Sequence, residues 1–198
     1  MSGPSSVDEL FQRLKARLHQ APGKALSLPG LQLRESAVLA PLFLRGGEPW
    51  LLFTKRPATL RRHAGQISFP GGARDDEDPT PLHTALRETQ EELGIPEERV
   101  EVLGMLDELP TITSFRIVPF VGAIPADLPL RPSPEEVAEL IEVPVRALLS
   151  PSLPRVEMWN VMEKEREVYF YDYGAHVIWG ATARILKDLL AILRELIP

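Results

Sequence analysis

The chain has 198 residues, 44% of them apolar, enough for a sizeable core, and points to one compact domain spanning 1–198. Its net charge of −6 argues against general nucleic-acid binding, and the absence of cysteine excludes a disulfide framework and thiolate chemistry. No apolar run approaches about eighteen residues and no apolar signal region stands at the N-terminus, so a soluble, cytoplasmic protein without membrane contact is expected.

Ser6-Val7-Asp8-Glu9 has the form of a capping box and opens a helix over about 6–19, with Val7, Leu10, Phe11, Leu14 and Leu18 on one side. That apolar side could pack on its own domain or on another subunit. Residues 21–34, rich in Pro and Gly, read as linker. Two apolar runs, 37–44 and 50–54, flank Gly46-Gly47 and predict a β-hairpin. Leu82, Ala85, Leu86, Thr89 and Leu93 predict a helix over 82–93. Pro79 and Pro81 mark its beginning, Thr80 or a neighbour would cap it, and Gly94 followed by Pro96 would stop it. Strands are expected at 100–109 and 117–124. After a Pro-rich loop over 125–134, another is expected at 137–143, then a helical turn at 145–149. Residues 155–162 and 167–173 read as a second hairpin turning near Glu163-Lys164. A final helix over 179–196 carries Ile185, Leu189, Ile192 and Leu196 on its core face. Strands mixed with flanking helices suit an α/β fold with a sheet covered on both sides.

The helix at 82–93 also carries Glu88, Glu91 and Glu92, spaced i, i+3, i+4. At roughly 100° per residue they share one face, where three like charges repel. A hard cation such as Mg²⁺ or Mn²⁺, which takes carboxylate and phosphate oxygens, would relieve that repulsion; a solvated acidic face has the same spacing. Phe69-Pro70-Gly71-Gly72 stands upstream, a Gly-rich approach where backbone can come close to a ligand. Residues 50–74 hold Lys55, Arg56, Arg61, Arg62 and Arg74 and no acid. Arginine grips phosphate with two donors at once, although a plain basic surface loop has the same composition.

Arg87, Glu88, Thr89, Glu91, Glu92, Gly94 and Ile95 resemble the second half of the Nudix hydrolase signature, G-x5-E-x7-R-E-U-x-E-E-x-G-U, with U a bulky apolar residue. Thr89 is less bulky than the usual aliphatic, and the first acid is Asp78, one residue further from the arginine than usual. Upstream, Leu52, Phe53, Thr54, Arg56, Arg61, Gly65, Phe69, Pro70, Gly71 and Gly72 are similar to an extra motif of the coenzyme A pyrophosphatase branch of that family. Pro57 departs from it, replacing a small residue, whereas the Asp and its extra residue of spacing also occur in that branch.

The resemblance implies a Nudix-type α/β/α sandwich with a mixed β-sheet. It also implies a metal-dependent hydrolase that cleaves the pyrophosphate of coenzyme A or its derivatives to 4′-phosphopantetheine and adenosine 3′,5′-bisphosphate. Arg87, Glu88, Glu91 and Glu92 would be the catalytic set. Glu88, Glu91 and Glu92 would hold Mg²⁺ or Mn²⁺, with Glu136, after the Pro-rich loop, as a further ligand or base. Arg87 would orient one of these glutamates or Asp78. Substrate would meet Arg56, Arg61, His63, Gly71 and Gly72. Two alternatives stand beside this reading. One is a Nudix pyrophosphatase for another nucleoside diphosphate, such as ADP-ribose or NADH. The other is a non-catalytic nucleotide-binding module of Nudix type, which would tend to lose the metal carboxylates that this chain keeps. The four histidines have no zinc-ligand spacing. His83 reads as surface and His176 as a satisfied core residue. Tyr169, Phe170, Tyr171 and Tyr173 read as strand packing rather than a platform for adenine.

Overall fold

The computed structural model describes residues 6–21, 32–60, 63–111, 113–161 and 164–197. Its centre is a mixed sheet built around β1 (Arg34–Arg45), whose middle is almost continuously apolar because both faces are covered. Gly46 and Gly47 turn the chain into β2 (Glu48–Lys55), which pairs antiparallel with β1, Leu42 opposite Leu51. The short β3 (Ile67–Ser68) extends that side of β2, and β4 (Gly71–Ala73) lies antiparallel on the first half of β1, Gly71 opposite Val38. On the other side β1 runs parallel to β7 (Phe115–Ala123), which pairs outward with β5 (Glu101–Met105) and β6 (Leu109–Pro110). β8 (Glu139–Pro144) completes the sheet beyond β2 and leads into the short α3 (Val145–Leu148).

Strand parity sorts the core into layers. Ala37 and Leu39 face α2 (Pro81–Leu93), meeting Ala85, Val118 and Phe120. Leu52 and Phe43 continue that face towards Leu93 and Ile95. Ala40, Leu42, Leu51 and Phe53 point the opposite way, where α1 (Ser6–Lys15) contributes Leu14 and α4 (Gly180–Leu196) contributes Leu186, Leu189 and Leu193. The result is an α/β/α sandwich. A second, antiparallel sheet is formed by β9 (Pro154–Val161), β10 (Lys164–Tyr173) and β11 (His176–Trp179). It joins the α4 side through the buried Tyr171 and Ile178.

Several boundaries differ from the sequence expectations. α1 stops at Lys15 rather than near His19, because a turn drops Leu18 into the core and His19 then bridges to Met105. Its apolar side packs on this chain, against α4 and β5. The strand expected over 100–109 splits into β5 and β6, since the apolar alternation fails at Leu106-Asp107-Glu108. β11 escapes the sequence reading because four residues run directly into α4; extended Trp179 (φ −146°, ψ 178°) flanks that helix, which begins at Gly180. The expected linker falls largely on residues 22–31, and the turn of the second hairpin on 162–163, outside the described residues. Among the described residues no helix is long and apolar enough to cross a membrane.

Candidate active site

α2 forms where the sequence places it. Thr80 Oγ1 accepts the His83 N–H at 3.3 Å, satisfying one of the orphan donors of the first turn, and Pro81 fits a position whose N–H has no helical partner. His83 is exposed, as expected. Gly94 ends the helix in the left-handed region (φ 68°), its N–H donating to Gln90 O at 2.8 Å. Ala85, Leu86, Thr89 and Leu93 are buried, and Glu92 is buried among them with 4% exposure, although a charged side chain is seldom so enclosed.

Asp78 and Arg87 make the firmest pairing of the site. Arg87 donates to Asp78 through Nε (3.1 Å) and Nη2 (3.0 Å), the two-pronged geometry of a guanidinium on a carboxylate. The buried Asp78 carboxylate also accepts Thr84 Oγ1 at 2.9 Å and the Asp75 N–H at 3.1 Å. The Arg87 bonds are the main reason its pKa lies far below the ordinary carboxylate range. Arg87 Nη1 meanwhile reaches Glu88 at 3.0 Å and Glu91 at 3.1 Å. One arginine therefore joins the turn ahead of α2 to two of the three glutamates.

Gly71 and Gly72 bring β4 against these acids. A β-carbon on Gly72 would overlap the Glu88 carboxylate, and one on Gly71 would strike the Ala37 carbonyl and Val38 of β1. The Gly71 N–H donates to Glu92 Oε1 at 3.4 Å, and Thr54 Oγ1 donates to Glu92 Oε2 at the same distance. Thr54 shares its face of β2 with Leu52, the face turned to α2, so strand parity brings its hydroxyl there. Two long bonds from neutral donors do not balance a buried carboxylate. Burial pushes the Glu92 pKa up to about 7, with Glu88 and Glu136 adding repulsion and Arg56 opposing it. Burial also raises Glu88, against the pull of Arg87.

Glu136 reaches this group because the Pro-rich loop docks on the end of α2. Arg131 N–H donates to Leu93 O at 2.8 Å and Ser133 N–H to Glu92 O at 2.9 Å, filling helix carbonyls that lack internal partners. The loop turns from Ser133 back to Glu136, whose N–H donates to Ser133 O at 3.1 Å, and Glu136 then acts electrostatically on both Glu88 and Glu92. Arg56, at the end of β2, contributes a field on Glu92, and its Nε is buried with no hydrogen-bond partner among the described residues. Oxygen-only donors with excess negative charge, beside an unpaired guanidinium nitrogen, fit a hard divalent cation carrying a phosphate ligand. Among the described residues no three acids or histidines already stand as a closed cation cage, and Arg87 is ion-paired with Glu88 and Glu91.

Other candidates fall differently. His63, at φ 57°, is exposed and sits 2.7 Å from Gln66 in its own loop. Arg61 and Arg62 lie outside the described residues. Arg74 is bonded to Glu35 and to the carbonyls of Asp78 and Pro79. His176 is not a satisfied core residue. It is partly exposed, its Nε2 lies 3.3 Å from Glu139, and its buried Nδ1 has no partner among the described residues. Phe170 stacks on Trp179 at 6.2 Å and Tyr171 enters the core, consistent with strand packing. The sequence assigns Thr54 no role beyond its place in the motif, and it misses Thr84, which lies outside the apolar stripe and has no periodic signal.

A family model described as NUDIX domain matches residues 33–164. The chain is 40% identical to an uncharacterized Nudix hydrolase NudL of Cronobacter sakazakii over 190 residues, covering 95% of each. It is 44% identical over 184 residues to a protein of the same description from Photorhabdus laumondii, covering 93% of this chain and 96% of that one. A MutT protein from Methanosarcina mazei Go1 shares the fold, with a TM-score of 0.55 and 18% identity over 87% of this chain and 100% of that one. The Nudix hydrolase RenU of M. smegmatis aligns with a TM-score of 0.51 and 25% identity, over 65% of this chain and 83% of that one. With its carboxylate helix, Gly-Gly strand and central sheet inside the matched span, the chain belongs to the Nudix hydrolase family.

Proposed function

We propose that this Nudix hydrolase cleaves the pyrophosphate of coenzyme A or its derivatives, giving 4′-phosphopantetheine, or its acyl form, and adenosine 3′,5′-bisphosphate. The observation that carries the reading of the site is the acid pair Glu88 and Glu92 against Gly71-Gly72, both with pKa values raised by burial, with Arg56 acting on Glu92 and its buried Nε without a hydrogen-bond partner among the described residues. The narrower choice of coenzyme A is supported by the similarity of residues 52–72 to that branch of the family.

Glu88, Glu91 and Glu92 would hold Mg²⁺ or Mn²⁺, with Glu136, which acts electrostatically on Glu88 and Glu92, as a further ligand or base by resemblance. A cation bound there would supply charge neutralisation at the phosphoryl oxygens and would acidify water enough for it to be a nucleophile near neutral pH. Arg87 fixes Glu88 and Glu91 in place. Arg56, and Arg61 by resemblance, grip the diphosphate. Gly72 leaves the space in which the Glu88 carboxylate sits. One of the three glutamates, or the loop acid Glu136, would take the proton of the attacking water; Glu92, whose pKa burial raises towards the working pH, is suited to that role.

The test is turnover of coenzyme A, ADP-ribose and NADH side by side with Mg²⁺ and with Mn²⁺, products resolved by mass. Preference for coenzyme A with release of adenosine 3′,5′-bisphosphate is expected; preference for ADP-ribose or NADH would overturn the substrate assignment and leave the site intact. Glu91→Gln and Glu92→Gln should each lower kcat by about 100-fold or more while the fold persists. Full activity in both would end the mechanism.

A further inference from the structure

We propose that Arg74 is a positioning residue: it ties the turn ahead of α2 to the central sheet, so that Asp78 can fix Arg87 and, through it, Glu88 and Glu91. The proposal rests on the reading of those glutamates as cation ligands.

Composition groups Arg74 with the cations available for phosphate, yet each of its nitrogens is directed at the protein. Nε donates to Asp78 O at 3.0 Å, Nη2 to Pro79 O at 3.2 Å, and Nη1 to Glu35 at 2.9 Å. Glu35 belongs to β1 and is itself ion-paired with Arg116 of β7, which also reaches Glu108 at 3.6 Å. Glu35 and Arg116 are largely enclosed, with side-chain exposures of 15% and 18%. The anchor for Arg74 is therefore two adjacent strands of the sheet.

The other end of the tie is the backbone of Asp78 and Pro79, the two residues before the Thr80 cap. The Asp78 carboxylate is engaged by Thr84, Arg87 and the Asp75 N–H. Arg74 thus holds the main chain of the residue whose carboxylate orients Arg87. Without that side chain the start of the turn keeps its main-chain bond to Glu35 O, but Asp78 and Pro79 lose their tie to the sheet, so Asp78 can shift along with Arg87 instead of fixing it. Partners that orient ligands in this way commonly matter by 10- to 100-fold in metal affinity or activity.

The experiment compares wild type, Arg74→Ala, Arg74→Lys and Glu35→Gln. Mn²⁺ affinity is read by electron paramagnetic resonance, and kcat and KM on whichever diphosphate substrate the wild type turns over. Arg74→Ala is expected to weaken Mn²⁺ binding and lower kcat, each by about 10-fold, with KM nearly unchanged. Arg74→Lys, which keeps the charge and part of the bonding, recovers some of both, and Glu35→Gln gives a smaller loss in the same direction. If Arg74→Ala does not fold, the other two variants carry the test by the same readouts. A rise in KM with Mn²⁺ affinity intact would make Arg74 a phosphate ligand and overturn the proposal. So would a lowered Tm alone, with affinity and kcat intact. A wild type that binds no Mn²⁺ overturns the cation reading and this proposal with it; equal binding and equal kcat in wild type and variants overturn this proposal alone.

Discussion

At Glu92 a single side chain carries opposing demands. Its side chain is buried, and among the described residues its carboxylate accepts the Thr54 hydroxyl and the Gly71 N–H, both at long distance. In metal-free protein its pKa of about 7 lies above that of an unfolded glutamate, so the ionised form penalises the folded state. The penalty is absent below the unfolded pKa near 4.5, grows as pH rises and is complete above about 7. Glu92→Gln should therefore raise the Tm of chelator-treated protein at pH 8 and barely change it near pH 4.5, read by scanning calorimetry. Asp78 has the opposite sign. Its lowered pKa contributes stability above the ordinary carboxylate range, and that stability is lost as pH falls through the folded-state pKa. Asp78→Asn should cost about 2 kcal/mol at neutral pH and progressively less under acid, because the variant has no proton to bind at that position.

At the scale of the element, the C-terminus of α2 couples helix stability to the site. Gly94 takes a positive φ of 68°, and a β-carbon there would lie 2.9 Å from the Arg131 β-carbon. Gly94→Ala should cost about 1–2 kcal/mol from the backbone conformation. It should also lower kcat, because displacing Arg131 disturbs the loop that carries Glu136. Thr80→Ala at the other end should cost about 1 kcal/mol through the lost cap. Chemical denaturation separates the two stability losses; kinetics well below the transition show whether only the first reaches the site.

Across the whole molecule, the two faces of the sheet divide the work. α2 and the acids lie on one face; α1, α4 and the second sheet fill the other. Leu14 of α1 is fully buried in that second layer. Leu14→Ala should cost about 2–5 kcal/mol in urea unfolding and leave kcat unchanged at temperatures where the protein stays folded. A large fall in kcat without unfolding would mean that α1 communicates with the site through the sheet.

The sequence by itself determined α2 and its content: the Thr80 cap, the apolar stripe, the Gly94 stop and the three glutamates on one side. These depend on interactions within a few residues, and helical period and capping report such local physics directly. The first hairpin was legible for the same reason, with a Gly-Gly turn between two apolar runs. Tertiary structure alone gave Arg74 its partners Glu35, Asp78 and Pro79, which come from different elements. It alone placed Thr54 under Glu92, brought Glu136 to the acids by docking a loop on helix carbonyls, and enclosed Glu92 enough to raise its pKa. Burial and long-range pairing are properties of packed elements, and a carboxylate's surroundings cannot be read from its own neighbours in the chain.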